Sequence, residues 1–222
     1  MNKAIAFSLW GANPKYTIGA IKNAKLAATI YPDWTVIFYV DDSVPLPIID
    51  ELTSLNCRII KKDIIGNWSG MFWRFEAMCD TTYDIAISRD ADSRLNMREK
   101  VAVDEWIASG KTLHIMRDHP WHCTEILGGM WGLRNKQFRI LRALLDLTPK
   151  GDYWQTDQVF LRRVIFPLLK NDCYVHDEFF NYNLDKHHFP TPRINFEFVG
   201  QVFYEDDSEN LEFLNVIKDA LK

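Results

Sequence analysis

The sequence contains few cysteines, and no two of them form a Cys-x-x-Cys pair. The four cysteines, Cys57, Cys79, Cys123 and Cys173, are widely spaced along the chain. This spacing indicates neither a zinc knuckle nor a redox pair. We therefore expect reduced thiols, most of them in the core, which is typical of a cytosolic protein.

Long apolar runs are also lacking. No stretch approaches the roughly 20 apolar residues that cross a bilayer, and the N-terminal apolar run at residues 4–10 is too short and too aromatic for a signal peptide. We therefore expect a cytoplasmic protein without a transmembrane segment.

The chain has no surplus of positive charge. Its 26 Lys and Arg residues are outnumbered by 30 Asp and Glu residues, so its net charge is −4. A nucleic-acid-binding protein usually carries a basic surplus or stripe, so this class is disfavoured. A single bound nucleotide needs only a few local cations and stays compatible with the composition. The length of 222 residues and the hydrophobic fraction of 47% suit one domain with a substantial core.

Short β-compatible runs alternate with segments of helical periodicity. We predict strands at residues 4–10, 35–40, 57–60, 85–88, 112–116 and 173–177, and helices at 16–30, 47–54, 71–79, 96–109, 138–145, 153–169 and 208–221. Asn96, with Glu99 three residues later, predicts an N-cap with a reciprocal partner. Such alternation predicts the α/β class, with a mostly parallel central sheet flanked by helices.

Two aspartates, Asp90 and Asp92, follow the predicted strand at residues 85–88. They must lie where the strand emerges, because burying an unpaired charge is costly. Residues i and i+2 of an extended segment point the same way, so both carboxylates can face one point. Such oxygen ligands suit Mg²⁺ or Mn²⁺, and the flanking Arg89 and Arg94 suit an anion. The segment predicts a metal and nucleoside diphosphate site, although a solvated turn with surface salt bridges has the same local pattern.

Other residues fall on the same predicted edge of the sheet, since parallel sheets bind ligands outside the carboxyl ends of their strands. Ser8 and Trp10 end the first predicted strand, and Asp41 and Asp42 follow the second. Trp10 or Tyr16 could stack on a nucleotide base, although core filling explains Trp10 about equally well. We therefore expect these side chains near Asp90.

Three features further along the chain have two interpretations each. Gly128, Gly129 and Gly132 permit close backbone approach, either in a β-bulge or hairpin or as a floor for a sugar ring. Asp157 lies at the start of a predicted helix, where the helix dipole alone can explain an acid. His176 ends the last predicted strand and is either structural or a further metal ligand, which Mn²⁺ would tolerate better than Mg²⁺.

Five segments, taken together, resemble the metal-dependent glycosyltransferases of the GT-A fold. They are residues 89–94, 116–120, 128–132, 156–158 and 175–179. The segments are especially similar to the small group that includes a chlorella-virus capsid glycosyltransferase domain. The resemblance covers most of the chain and depends on the combination of segments and their order. It implies one GT-A type, Rossmann-like domain over residues 1–222, in which residues 1–95 bind the nucleotide sugar and residues 96–222 face the acceptor.

The resemblance also implies roles for individual residues. Asp90 and Asp92 would hold the metal and the donor diphosphate, and His176 would correspond to a downstream metal ligand. Asp157 falls where inverting members place the acid that receives the acceptor's proton. Arg74 falls where members often keep a basic residue near the nucleotide. The glycine- and lysine-rich continuation of the glycogenin-like branch is absent after His176.

We therefore expect an Mn²⁺- or Mg²⁺-dependent glycosyltransferase. It would move a sugar from a nucleotide diphosphate sugar, by resemblance a UDP-sugar, to a hydroxyl of a glycan or glycoprotein. The expected base is Asp157, with Asp118 and Asp177 as second candidates. The expected donor-binding residues are Ser8, Trp10, Arg74, Arg89, Asp90 and Asp92, and the expected metal ligands are Asp90, Asp92 and His176.

Two other functions stay open from the sequence. Asp90-Ala91-Asp92-Ser93, followed downstream by Asp206 and Asp207, loosely fits a HAD-like phosphatase with a nucleophilic aspartate. That motif normally follows the first strand of its fold, whereas several predicted strands precede it here. The other function is a nucleotide-sugar-binding domain without turnover, which the presence of both metal carboxylates and a candidate base disfavours.

Overall fold

A computed structural model describes all residues, 1–222. Its strands in chain order are β1 (Lys3–Leu9), β2 (Trp34–Val40), β3 (Arg58–Lys61), β4 (Ile85–Ser88), β5 (Leu113–Arg117), β6 (Trp131–Arg134), β7 (Cys173–Asp177) and β8 (Lys186–His187). They form one sheet in the order β3-β2-β1-β4-β6-β5-β7-β8. Only β6 runs antiparallel to its neighbours, β4 and β5. The predicted α/β class with a mostly parallel sheet is confirmed.

The α-helices are α1 (Pro14–Ile30), α2 (Leu46–Ser54), α3 (Met97–Ser109), α4 (Leu141–Leu147), α5 (Thr156–Phe160), α6 (Phe166–Leu169) and α7 (Leu211–Ala220). A π-helical turn, Leu161–Ile165, joins α5 to α6, and short 3-10 turns cover Asn135–Gln137 and Lys170–Asp172. Segment Trp68–Cys79 is a 3-10 helix. None of the helices has the length and hydrophobicity that a membrane span requires.

Alternate residues of β1 belong to two different hydrophobic clusters, one on each face of the sheet. Ala4 and Ala6 pack in the cluster that contains the 3-10 helix and the residues of α4 and α5. Ile5 and Phe7 pack in the cluster that contains the apolar residues of α1 and α3. Since neighbouring side chains of a strand point to opposite faces, the central strands are buried on both sides, as expected for a parallel sheet covered by helices.

Helix α3 begins and ends as the sequence predicts. The Asn96 side chain accepts a hydrogen bond of 2.8 Å from the Glu99 N–H, and Gly110 ends the helix with φ +76°. The predicted reciprocal bond from Glu99 is wrong. Its carboxylate instead accepts hydrogen bonds from Arg89 Nε (2.8 Å) and the Tyr31 hydroxyl (2.9 Å).

The four cysteines are all free thiols. Cys57 is buried in one core cluster, and Cys79 and Cys173 are partly buried and pack against the other, so most of the thiols are associated with the core as expected. Cys123 is the exception, because it is exposed. Cys123 belongs to the loop that follows β5. This loop is rich in polar and aromatic residues and lacks the apolar periodicity of a buried strand or helix.

Candidate active site

A cavity of about 1270 Å³ opens at the carboxyl ends of β1 and β4. The two strands pair in parallel, with Ala6 opposite Ser88, so the segments that follow them emerge side by side. The cavity is lined by most of the residues expected at the donor site and by the expected base. They are Ser8, Trp10, Tyr16, Arg74, Asp90 and Asp92 for the donor, and Asp157 as the base.

The segment that carries Asp90 and Asp92 is held by helix α1. The buried Asn23 amide donates to the carbonyls of Ala91 (3.2 Å) and Ser93 (2.8 Å) and accepts from the Leu95 N–H (3.0 Å). Gly19 lets the helix approach this loop, since a Cβ there would lie 2.2 Å from the Ala91 carbonyl oxygen. These contacts fix the backbone between the two carboxylates.

Each of the two carboxylates has a basic partner. Asp92 Oδ2 lies 2.7 Å from Lys15 Nζ, and Asp90 forms an ion pair with Arg74 Nη1. Burial raises the pKa of Asp92, and the negative charge of Asp90 raises it further, whereas Lys15 lowers it. Both carboxylates line the same cavity, and the negative charge of one affects the protonation of the other.

Arg74 connects Asp90 with Asp157. Its Nη2 donates to Asp157 Oδ2 at 2.9 Å, while Nη1 contacts Asp90 and donates to the Arg89 carbonyl at 3.1 Å. The Arg74 N–H donates to Ser8 Oγ at 3.0 Å, which fixes the 3-10 helix against the end of β1. The guanidinium is thus a fixed positive charge between the two acids.

Asp157 lies in the first turn of α5, and its side chain is 1% exposed. Oδ1 accepts a hydrogen bond of 2.9 Å from the Gln158 N–H. Burial raises the pKa of Asp157, Arg74 opposes this effect, and Asp90 adds to it. A carboxylate at a cavity wall with a raised pKa has the properties of a general base.

The glycine pair before β6 touches both acids. A Cβ on Gly128 would lie 2.1 Å from Asp157 Oδ2, and a Cβ on Gly129 would lie 1.9 Å from Asp90 Oδ2. The Ser88 hydroxyl donates to the Gly128 carbonyl at 2.7 Å, which ties this loop to the end of β4. The expected close backbone approach is therefore present, and its partners are the two carboxylates.

Two aromatic rings lie near the donor-side wall. Trp10 packs edge-on against Trp73, with ring centroids 5.9 Å apart, and the backbone of Gly66 and Gly70 lies against its indole. Tyr16 is exposed and lies under the Lys15 ammonium, 5.2 Å from its ring centroid. Both rings line the cavity that the carboxylates also line. Each ring therefore offers an aromatic surface to a ligand bound there.

The structure does not place His176 in this cavity. Its Nδ1 lies 2.9 Å from His114 Nε2 and its Nε2 lies 3.1 Å from Glu105. The reason is the strand order, since β6 and β5 separate β7 from β4. No three His, Cys, Asp or Glu side chains form a metal-binding group anywhere in the chain. This corrects the expectation that His176 completes a metal shell with Asp90 and Asp92.

Arg89 and Arg94 also point away from the cavity. Arg89 is 1% exposed and pairs with Glu99 at 2.8 Å, on the opposite side of the chain from Asp90, as alternation along an extended segment requires. Arg94 pairs with Asp207 at 3.1 Å. The expectation that these arginines bind the donor is therefore corrected, because each already neutralises an acid outside the cavity.

The two second candidates for the base have structural partners. Asp118 is buried between Arg98 (2.8 Å) and Arg193 (2.5 Å). Asp177 pairs with Arg117 at 2.5 Å and is equally buried. Neither aspartate lines the cavity, so both are corrected to structural ion pairs.

Two other acidic pairs are excluded from the site. Asp41 accepts hydrogen bonds from the N–H groups of Ser43 (3.0 Å) and Gly66 (2.5 Å) and so fixes a loop, and Asp42 is exposed. Asp206 and Asp207 lie in the exposed loop before α7. None of the four lines the cavity, so the phosphatase alternative lacks its second acidic pair.

Sequence reasoning missed Lys15, Asn23 and Gly19. Lys15 follows the loop at the carboxyl end of β1, so the rule that placed Ser8 and Trp10 at this edge would also have found it. Asn23 and Gly19 lie on a helix among apolar residues, and Asn23 is fully buried. A buried asparagine needs hydrogen-bond partners, but the sequence does not show that those partners are the backbone beside Asp90.

No family model matches the sequence, and no curated protein shows significant sequence similarity to it. Several solved structures share its fold. Residues 1–349 of TarS from S. aureus match with a TM-score of 0.54 and 14% identity, over 80% of this chain and 58% of that crystallised chain. A glycosyltransferase involved in glycosylation of the major capsid of chlorella virus PBCV-1 matches with a TM-score of 0.51 and 16% identity, over 80% and 82% of the two chains. Glucosyl-3-phosphoglycerate synthase from M. tuberculosis matches with a TM-score of 0.50 and 13% identity, over 78% and 69%.

These comparisons establish the fold. The chain has the GT-A-like fold of glycosyltransferases, as the sequence resemblance implied. Its matched region spans little more than half of the TarS chain of residues 1–349.

Proposed function

We propose that this protein is a glycosyltransferase that moves a sugar from a nucleoside diphosphate sugar to a hydroxyl acceptor. One observation carries the proposal. Asp90, Asp92 and Asp157 line the same cavity, and Arg74 joins the first of them to the last. A fold alone does not define an activity, so the assignment depends on these residues.

The two carboxylates at the end of β4 fit a divalent cation. Their oxygens are hard ligands, and the pKa of Asp92 is raised partly by the charge of Asp90, so a cation would relieve this repulsion. Mg²⁺ commonly binds one or two carboxylates and completes its shell with waters and substrate phosphates. Asp90 and Asp92 would therefore suffice without His176. When bound there, the ion would neutralise charge on the departing diphosphate.

The reaction that we propose is a single displacement. The acceptor oxygen forms a bond to the anomeric carbon of the donor sugar, and the bond from that carbon to the diphosphate oxygen breaks. The acceptor's proton passes to Asp157, and Lys15 and Arg74 offer positive charge near the leaving diphosphate. One displacement at the anomeric carbon inverts its configuration, so the product should have the opposite anomeric form from the donor.

A uridine nucleotide is the donor we propose first. One fold neighbour, the M. tuberculosis synthase, was crystallised with Mg²⁺ and UDP, and this is an analogy at the level of the fold. In this chain, Trp10 and Tyr16 offer aromatic faces beside the carboxylates. We further propose that residues 1–95 supply most of the donor side and residues 96–222 the acceptor side.

Thermal unfolding with nucleotides tests donor binding. A ligand at 100 times its Kd stabilises the native state by about 2.7 kcal/mol, so UDP with Mn²⁺ should raise the Tm by several degrees. The double variant Asp90→Asn and Asp92→Asn should lose this shift. Asp42→Asn is the matched control, because Asp42 is an exposed aspartate outside the cavity. An equal Tm shift in the double variant and the wild type would contradict the metal assignment.

Turnover tests the base. We expect UDP-sugar hydrolysis, with water as the acceptor, to fall by about 10²- to 10⁴-fold in Asp157→Asn, while the UDP-dependent Tm shift persists. A panel of UDP-sugars assayed with Mn²⁺ identifies the donor. Hydrolysis at the wild-type rate in Asp157→Asn would remove Asp157 from this role.

A further inference from the structure

All the exposed tryptophans of this protein border one cavity. The chain has eight tryptophans, of which only Trp68, Trp121 and Trp154 are exposed, and these three all line the candidate active site. Trp154 is 67% exposed. Large aromatic side chains gathered in a concave region and left in contact with water mark a ligand-binding surface rather than a folding requirement.

Two of these tryptophans lie on segments that are hydrogen-bonded to each other, one of them close in sequence to the proposed base. Trp154 precedes Asp157 by three residues, in the loop that leads into α5. Trp68 begins the 3-10 helix, and its backbone N–H donates to the carboxylate of Asp152, which lies in the loop that carries Trp154, at 3.1 Å. The hydrogen bond joins the two segments that carry these tryptophans, and both residues line the cavity.

Trp121 comes from a different part of the chain. It lies in the loop after β5, and its ring packs edge-on against Phe213 of α7, with centroids 4.8 Å apart. His119 packs edge-on against it as well, at 5.8 Å. These contacts hold the indole in place while leaving 41% of the residue exposed. Because the ring is already immobilised, a ligand that binds to it loses little affinity to the ordering of this side chain.

The same cavity is also lined by side chains with amide and hydroxyl groups. Among them are Asn67, Thr124, Gln155, Gln158 and Asn210. Aromatic faces with such groups beside them match a sugar ring, which presents an apolar C–H face and a rim of hydroxyls. The cavity of about 1270 Å³ also exceeds the volume of about 300 to 1,000 Å³ typical of a single small-molecule site, so it has room for a second ligand beside the donor.

A peptide is a poorer match for this surface. Extended peptides commonly bind by adding a strand to an exposed sheet edge. The edges of this sheet are β3 and β8, and no residue of either strand lines the cavity. The main-chain hydrogen bonds that such a peptide requires are therefore not offered here.

We propose that Trp68, Trp121 and Trp154 form the acceptor subsite and bind an oligosaccharide by stacking on its sugar rings. This inference rests on the proposed function for the identity of the reaction, and it names the acceptor as a carbohydrate chain. The position of Trp154 next to α5 brings a stacked sugar toward Asp157, where its hydroxyl loses a proton.

A printed glycan array probed with the full chain, UDP and Mn²⁺ tests the inference. We expect the wild type to bind a defined subset of glycans, and Trp154→Ala and Trp121→Ala each to reduce that binding at least tenfold. Trp154→Phe should retain more binding than Trp154→Ala, because it keeps an aromatic face. Phe196→Ala is the control, since Phe196 is exposed to a similar extent (42%) but lies outside the cavity.

The unfolding temperature of each variant shows that it is folded before it is applied to the array. Absence of glycan binding by the wild type, binding to a peptide array instead, or unchanged glycan binding by both alanine variants would overturn the inference. The two proposals fail separately. Without a UDP-dependent Tm shift the proposed function fails, whereas a clear shift with a blank glycan array refutes only the acceptor subsite.

Discussion

The charge of Arg74 controls the protonation of Asp157, and Arg74→Met removes that charge while keeping an unbranched side chain. The two side chains are 5% and 1% exposed, with Nη2 and Oδ2 2.9 Å apart, so solvent screens the pair weakly. Burial raises the pKa of Asp157, and Arg74 is the main group that opposes this rise. The substitution should therefore raise the pKa of Asp157 further.

The size of the effect follows from the contact. A cation beside a carboxyl group lowers its pKa, so removing Arg74 should move the acidic limb of the pH–rate profile to higher pH. Leaving one partner of a buried ion pair alone costs up to about 3–5 kcal/mol of stability. A carboxyl whose pKa is raised by folding contributes stability below its unfolded pKa and loses it as the pH rises through the folded pKa. The stability loss in Arg74→Met should therefore be larger at pH 8 than at pH 5.

Two measurements check this prediction. Carboxyl ¹³C NMR of aspartate-labelled protein follows the titration of Asp157 directly, and urea unfolding at pH 5 and pH 8 gives the stability difference. Arg58→Met is the control, because Arg58 is half exposed and lies 3.6 Å from the partly exposed Asp80, a contact worth at most about 1 kcal/mol. An unchanged titration of Asp157, or the same pH dependence in both arginine variants, would refute the reasoning.

Three further substitutions test the site as the structure defines it. Gly129→Ala places a methyl group 1.9 Å from Asp90 Oδ2. The carboxylate must then move by more than about 1 Å, which can lower the rate about 10²-fold. UDP-sugar hydrolysis at the wild-type rate would contradict this prediction. Asn23→Ala removes three hydrogen bonds to the loop that carries Asp90 and should lower the free energy of unfolding by about 1–3 kcal/mol, measured in urea; a smaller loss would show that the loop is held by other contacts. His176→Gln should keep the Mn²⁺-dependent Tm shift with UDP, and loss of that shift would restore His176 as a ligand.

Much of the framework was predictable from local patterns. The apolar run before Asp90, the start of α3 at Asn96 and the alternation of strands with helices each depend on neighbours in the chain. The rule that parallel sheets bind ligands at their carboxyl edge then placed Ser8, Trp10 and Asp92 together, and the structure has them in one cavity.

The predictions that depend on long-range order were less successful. His176 lies near the end of a strand, as expected, but β6 and β5 lie between that strand and β4 and keep it away from Asp90. Asp118 follows a strand in a polar loop, as a catalytic acid often does. In the folded chain it forms ion pairs with Arg98 and Arg193, which are distant in sequence. Strand order and ion-pair partners are properties of the folded chain, and one sequence does not reveal them.

The sequence by itself determined the class of fold and the carboxylate pair at the end of β4, because hydrophobic periodicity and the cost of burying charge act over a few residues. Only the tertiary structure decided which acids share a cavity and which are neutralised within ion pairs. That decision depends on contacts between distant segments, of which the bridge from Asp90 through Arg74 to Asp157 is the clearest case.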